Sequence, residues 1–140
     1  MNHKELLKKA LEQTKYSYAP YSGFHVGAAL LTKEGEVFLG NNVENASFGA
    51  GICAERNAIF QAVSKGKKAF ETIAVVGGKC QENGGIQVDG FCYPCGICLQ
   101  VMEEFCEDDF QVIFADSADL EVANIQVRTL KELMPYGFKL

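Results

Sequence analysis

The sequence predicts an α/β fold in three layers, with a five-stranded mixed sheet between helices. The predicted elements follow the order αββαβαββα, the strands are short and apolar, and the helices carry apolar residues on one side. At 140 residues and 48% hydrophobic composition, the chain is long and apolar enough to bury one core. No internal repeat or shift in composition divides it, so we predict a single domain over residues 1–140.

The first third of the chain predicts a helix followed by a β-hairpin. Apolar residues recur at helical spacing over residues 4–15, and the Pro- and Gly-containing segment 18–23 ends this helix. Residues 25–32 (HVGAALLT) form a mostly buried strand. The Glu34-Gly35 pair then turns the chain back into a second strand over residues 36–40.

The middle of the chain predicts a polar loop, a helix and a central strand. The loop covers residues 41–51, and apolar spacing predicts a helix over residues 53–65 with Cys53 at its start. A β-branched strand over residues 72–76 is expected to end at Gly77-Gly78. The glycine-rich residues 79–93 have no clear period and are interpreted as an excursion.

The last third predicts a second helix, two strands and a short final helix. Pro94 suits the first position of a helix that runs to about Cys106. Strands are predicted over residues 110–115 and 121–127, and the linker between them is too short for a crossover helix. We therefore expect these two strands to be antiparallel, followed by a helix over residues 129–134.

Composition excludes several classes of function. A net charge of −5 and a pI near 5.0 argue against a binder of nucleic acid, which needs a basic surface for phosphates. No apolar run reaches the ~20 residues of a membrane span, and the charged N-terminus does not resemble a signal peptide. We expect a cytoplasmic protein whose six cysteines are metal ligands or buried thiols rather than disulfides.

The cysteines at two predicted helix starts indicate a metal site. Cys95 and Cys98 are three residues apart in one helical turn, and Cys53 begins another helix. Three thiolates can bind a tetrahedral zinc ion and leave the fourth position for water. Glu55, next to the first thiol, is then placed to move protons, which suits hydrolysis of a polarised C–N bond.

The cysteine pattern alone also allows two other kinds of metal site. The run from Cys92 to Cys98 has the spacing C-x2-C-x2-C, which also occurs in iron–sulfur proteins. Cys80, Cys92, Cys95 and Cys98 could instead form a closed four-thiolate zinc module without catalytic activity. Neither of these sites uses Cys53 or Glu55.

The chain resembles the cytidine deaminases, in their short homotetrameric form, through four segments. Residues 19–30 (APYSGFHVGAAL) resemble the opening segment of that family, and residues 42–46 (NVENA) its ribose-binding segment. Residues 53–56 (CAER) and 94–101 (PCGICLQV) are similar to the two halves of its zinc site, a three-Cys or His/Cys/Cys set with a non-ligand Glu. The resemblance covers nearly the whole chain except residues 79–93.

The resemblance implies a fold, an activity and a cofactor. The fold is a five-stranded mixed sheet between helices, and the activity is hydrolytic deamination of cytidine and 2′-deoxycytidine to the uridines, as in pyrimidine salvage. One zinc ion per subunit is bound by Cys53, Cys95 and Cys98, and Glu55 carries protons to N3 of the base and then to the leaving amine. Active sites lie at the interfaces of a homotetramer.

The resemblance also implies residues that hold the substrate. Asn42 and Glu44 bind the ribose 3′-hydroxyl, and Phe24 packs on the pyrimidine. The backbone carbonyl of Ala54 accepts from the exocyclic amine, and Phe138 reaches the active site of a neighbouring subunit. The resemblance thus implies that the protein binds a small nucleoside, and that it binds neither nucleic acid nor a membrane.

Three departures from the family pattern affect the expected site. Leu99 and Phe48 stand where the family commonly has Arg and Tyr, and the segment 79–93 is longer than usual. Three thiolates on one Zn²⁺ leave a net negative charge, so we expect Arg56 to compensate it through the sulfur atoms. A deaminase of a modified cytosine nucleoside is the alternative within the same chemistry.

Overall fold

The computed structural model describes all 140 residues as a mixed sheet covered by helices on both faces. The helices are α1 (His3–Gln13), α2 (Ala54–Ser64), α3 (Gly96–Phe105) and α4 (Leu130–Leu133). The strands are β1 (Phe24–Thr32), β2 (Val37–Asn41), β3 (Phe70–Cys80), β4 (Ile86–Gln87), β5 (Gln111–Ala115) and β6 (Ile125–Thr129). None of the four helices has the length and apolar character that a membrane span requires.

The sheet has the strand order β2-β1-β3-β5-β6, and the two-residue β4 is added alongside β3. The β3–β5 pair is parallel, whereas the other pairs are antiparallel, including β5–β6. The α/β fold class, the five main strands in a mixed sheet and the antiparallel last pair are therefore confirmed.

Alternation along the strands divides the core between the two faces of the sheet. Ala28 and Leu30 of β1 face α2 and α3, whereas Ala29 and Leu31 face α1. This is the period of two that a strand buried on both faces requires. Helices α2 and α3 thus lie on the same face, which places their N-termini near one another.

The start of α2 is held close to the sheet at Gly40 of β2. A Cβ atom at Gly40 would lie 2.5 Å from the backbone nitrogen of Ala58 and closer still to the carbonyl oxygen of Ala54. A side chain would force the helix away from the strand, so glycine fixes the position of the helix turn that carries Glu55.

Several predicted boundaries were wrong, and three of them have a clear structural cause. Strand β3 continues through Gly77-Gly78 to Cys80, because β1 and β4 both pair with this part of it. The last strand begins at Ile125 rather than residue 121, since residues 116–124 form a turn in which Asp116 accepts hydrogen bonds from Asn124. Pro94 precedes the helix, with Cys95 as the N-cap of α3.

Candidate active site

Two helix N-termini bring three thiols together. Cys53 is the N-cap of α2, Cys95 is the N-cap of α3, and Cys98 lies in the first turn of α3. Their sulfur atoms all lie within 4.8 Å of one another, and the Cys53 Sγ–Cys95 Sγ distance is 3.7 Å. Helix N-termini favour negative charge, so both helices stabilise thiolates at this point.

The three thiols fit a zinc ion. A tetrahedral zinc with Zn–S bonds of about 2.3 Å requires sulfur atoms roughly 3.8 Å apart, close to the Cys53–Cys95 separation. Cys98 is buried, whereas Cys53 is half-buried and Cys95 is exposed. The cluster therefore faces solvent on one side, as a catalytic zinc site with an open position needs.

Arg56 contacts two of the three sulfur atoms. Its Nε donates to Cys98 Sγ and its Nη2 donates to Cys53 Sγ, both at 3.4 Å. A hydrogen bond from Cys98, together with those from Arg56 and Cys95, lowers the pKa of Cys53 to about 5, although burial opposes this. Leu99 packs its side chain against the core, so the charge compensation at the sulfurs comes from Arg56.

Glu55 is the buried carboxyl of the site. It lies in the first turn of α2, is only 3% exposed and lines the same cavity as Cys53 and Cys95. Burial raises the pKa of Glu55 to about 7, and the negative charge on Cys53 acts in the same direction. A carboxyl with such a pKa can accept and release a proton near neutral pH.

An open cavity of about 550 Å³ lies beside the thiols and Glu55. Asn42, Glu44 and Ala54, which were predicted to bind the substrate, also line it, together with Arg56. Arg56 is the only Lys, Arg or His side chain among the lining residues, and its hydrogen bonds go to sulfur. The cavity thus combines apolar walls with a few acceptor side chains and the thiol cluster.

The predicted sugar-binding residues are held by hydrogen bonds at the start of β1. Asn42 Nδ2 donates to the carbonyl of Phe24 at 2.8 Å, and Asn42 Oδ1 accepts from the backbone of Val26 at 2.9 Å. Glu44 accepts three hydrogen bonds from Tyr21 and Ser22. Asn42 therefore fixes the backbone that carries Phe24 as well as lining the cavity.

Two predicted substrate residues lie outside the main cavity. Phe24 lines a small adjoining cavity of about 130 Å³, where its ring lies over Gly77 next to Cys92. Phe138 is 63% exposed in the C-terminal tail, and its carbonyl accepts from Gln100 on α3. The role of each in binding substrate stays a prediction.

The remaining cysteines are separate from the thiol cluster. Cys80 is exposed at the end of β3, and Cys106 packs in the core. Cys92 lines both cavities, and burial raises its pKa to about 12, which keeps it protonated. The cluster consists of Cys53, Cys95 and Cys98, which does not favour the four-thiolate module or the iron–sulfur run.

Sequence reasoning missed two residues of the site. Tyr93 lines the cavity, packs on Phe114 with ring centroids 4.9 Å apart, and donates from its hydroxyl to Gln126 at 2.7 Å. Ser22 contacts Glu44 across a sequence separation of 22 residues. Tyr93 could have been found from its position directly before Pro94-Cys95. No local sequence pattern indicates that Ser22 contacts Glu44.

Comparisons with known proteins agree on one family. The family model described as "Cytidine and deoxycytidylate deaminase zinc-binding region" matches residues 1–114. A cytidine deaminase of Halalkalibacterium halodurans is 41% identical over 138 residues, covering 99% of this chain and 95% of the relative. A cytidine deaminase of Sporosarcina psychrophila is 39% identical, covering 94% of this chain and 85% of the relative.

A solved structure has the same architecture over the whole chain. The 1.6 Å crystal structure of cytidine deaminase from Burkholderia pseudomallei superposes with a TM-score of 0.83 at 39% identity. The match covers 99% of this chain and 100% of that one. The zinc-binding description of the family model agrees with the thiol cluster at the two helix starts.

Proposed function

Because the chain belongs to the cytidine and deoxycytidylate deaminase family, we propose that Glu55 moves the protons of its reaction beside Cys53, Cys95 and Cys98. The enzyme is a zinc-dependent hydrolase that converts cytidine and water into uridine and ammonia. The observation that carries the proposal is the buried Glu55 carboxyl in one cavity with the thiol cluster.

Each step of this reaction assigns a task to a residue of the site. Cys53, Cys95 and Cys98 hold zinc, which when bound supplies the Lewis acidity that makes water nucleophilic at neutral pH. Glu55 accepts a proton from the attacking water and delivers it to N3 of the base, which makes C4 more electrophilic. Glu55 then takes the second proton of that water from the hydroxyl now on C4 and gives it to the amine, so that the C4–N bond breaks, ammonia leaves and C4 becomes a carbonyl. The carbonyl of Ala54 accepts from the amine while it is still bound.

The charge of the cavity favours a free nucleoside over a nucleotide. Glu44 contributes a carboxylate to the lining of the cavity, and Arg56 is engaged with sulfur. A phosphate group in the cavity would meet this carboxylate, and no basic side chain among the lining residues is free to pair with it. We therefore propose cytidine and 2′-deoxycytidine as substrates, with a role in pyrimidine salvage.

The chemistry of the thiol ligands supports a cytoplasmic location. All six cysteines are free, and three of them must stay reduced to bind zinc. The cytosol keeps thiols reduced, whereas oxidising compartments favour disulfides. We propose that the enzyme works there.

The proposed homotetramer is supported by exposed aromatic residues next to the cavity and in the tail. Phe48 lines the cavity but is 88% exposed, and Tyr136 and Phe138 are also exposed. Such side chains are typical of surfaces that bind another subunit. Light scattering should give a mass of about 61 kDa, four times the 15.3 kDa of the chain, whereas a monomer would contradict the tetramer.

The ultraviolet absorbance of cytidine provides the direct test of activity. We expect the zinc-loaded enzyme to remove the cytidine band and release ammonia, and the enzyme stripped by a chelator to do neither until zinc is restored. Loss of the band without ammonia, or equal rates with and without zinc, would contradict zinc-dependent hydrolysis. A charged substrate, deoxycytidylate, should react far more slowly if the nucleoside proposal is correct.

A further inference from the structure

The two carboxylate oxygens of Glu44 have different surroundings. Oε1 accepts from the backbone nitrogen of Tyr21 at 3.0 Å and from that of Ser22 at 3.1 Å. Oε2 accepts from the hydroxyl of Ser22 at 2.5 Å. A carboxylate oxygen offers two lone pairs, so these partners fill Oε1 and leave one acceptor position on Oε2.

The hydroxyl of Ser22 joins Glu44 to the segment that carries Phe24. It donates its proton to Glu44 Oε2 and accepts from the backbone nitrogen of Phe24 at 3.0 Å. Because a hydroxyl has one proton, accepting from Phe24 directs that proton towards Glu44. The two contacts thus fix the direction in which the carboxylate points.

The backbone around Ser22 is itself fixed at three points. Gly23 adopts a φ of 68°, and its nitrogen donates to the carbonyl of Ala19 at 2.9 Å. The carbonyl of Gly23 accepts from the nitrogen of Cys80, and the carbonyl of Ser22 accepts from Lys79 Nζ at 3.2 Å. Ser22 is therefore a rigid support at the edge of the cavity, which it also lines.

We propose that Ser22 is a positioning residue that fixes the carboxylate of Glu44 so that its Oε2 accepts from a hydroxyl of the substrate sugar. The proposal rests on the proposed role of Glu44 in binding the ribose. The oxygen that binds the sugar is then Oε2, and the residue that orients it is Ser22. The hydrogen bonds from Ser22 and Tyr21 also hold the pKa of Glu44 below its ordinary value, which keeps the acceptor ionised.

A fixed acceptor affects binding of the sugar rather than the chemical step at the base. Without the Ser22 hydroxyl, the carboxylate loses one charge-assisted hydrogen bond and turns more freely about its side-chain torsions. The side chain of Glu44 would then lose its conformational freedom only when the substrate binds, and this cost weakens binding. We therefore expect KM to rise and kcat to stay largely unchanged. This increase in KM should appear only with substrates that carry the sugar hydroxyl that Oε2 binds.

The test compares Ser22→Ala with wild type on cytidine and on 3′-deoxycytidine. On cytidine, we expect kcat/KM to fall about tenfold through KM, the scale of one hydrogen bond to a charged group. On 3′-deoxycytidine, the variant and wild type should agree within about twofold, because the lost interaction is absent from both. Ser22→Thr keeps the hydroxyl and should recover most of the activity on cytidine.

Controls separate this inference from the proposed role of Glu44. Ser64→Ala removes an exposed hydroxyl that bonds Gln61 at the far end of α2, and should behave as wild type. Glu44→Ala should lose activity on cytidine but not on 3′-deoxycytidine. If Glu44→Ala shows this selectivity and Ser22→Ala does not, Ser22 is not the positioning residue. If Glu44→Ala affects both substrates equally, the proposed ribose contact fails and the inference fails with it.

Discussion

The Glu55→Gln variant is expected to bind zinc as wild type does and to lose most of its turnover. Proton transfer by a positioned carboxyl contributes about 10²–10⁴-fold in rate, so we expect kcat on cytidine to fall within this range. Glutamine has nearly the same shape but cannot accept and return the proton. The fold should tolerate it, since a neutral amide replaces a carboxyl that is already buried.

The measurements are kcat from the cytidine absorbance and zinc per subunit from elemental analysis. Glu71→Gln makes the same change at an exposed position at the start of β3 and should leave both values unchanged. A Glu55→Gln enzyme with zinc bound and kcat within tenfold of wild type would remove Glu55 from the proton-transfer role. Loss of zinc in this variant would instead indicate that Glu55 supports the metal site.

The Cys95→Ala variant is expected to lose both zinc and activity. Cys95 completes the three-thiolate set, and two thiolates with no third protein ligand hold zinc much more weakly. Activity should fall by at least about 10²-fold because the water is no longer activated. Cys95 is the N-cap of α3, but its side chain makes no capping hydrogen bond to the helix. Alanine at this position therefore removes a metal ligand without removing a capping hydrogen bond.

Circular dichroism and a matched control variant distinguish loss of a zinc ligand from unfolding. Cys80→Ala is the matched control, because Cys80 is exposed and lies outside the thiol cluster. Circular dichroism should show the helices retained in both variants, with a lower Tm for Cys95→Ala because bound metal stabilises the folded state. Full zinc and full activity in Cys95→Ala, or zinc loss in Cys80→Ala, would contradict the assigned ligand set.

Periodicity predicted the elements of the fold but not all of their ends. Apolar spacing located α1 and α2 within two residues at each end, because a face buried against a sheet requires that spacing. The glycines at 77 and 78 look like a strand end in the sequence. They remain in β3 because backbone pairing with β1 supplies their hydrogen bonds. Local residue preference cannot report a partner strand that is distant in sequence.

Local residue patterns specify the chemistry of the site: three thiols and a carboxyl at two helix starts, in a segment pattern that identifies the family. Residue type and spacing within one helix turn are local properties, and these set the ligands that zinc prefers. How these residues come together depends on tertiary packing. Packing of α2 and α3 on one face of the sheet brings Cys53 to 3.7 Å from Cys95. The turn before β1 places Ser22 on Glu44, because contacts between distant segments depend on backbone geometry that no short pattern encodes.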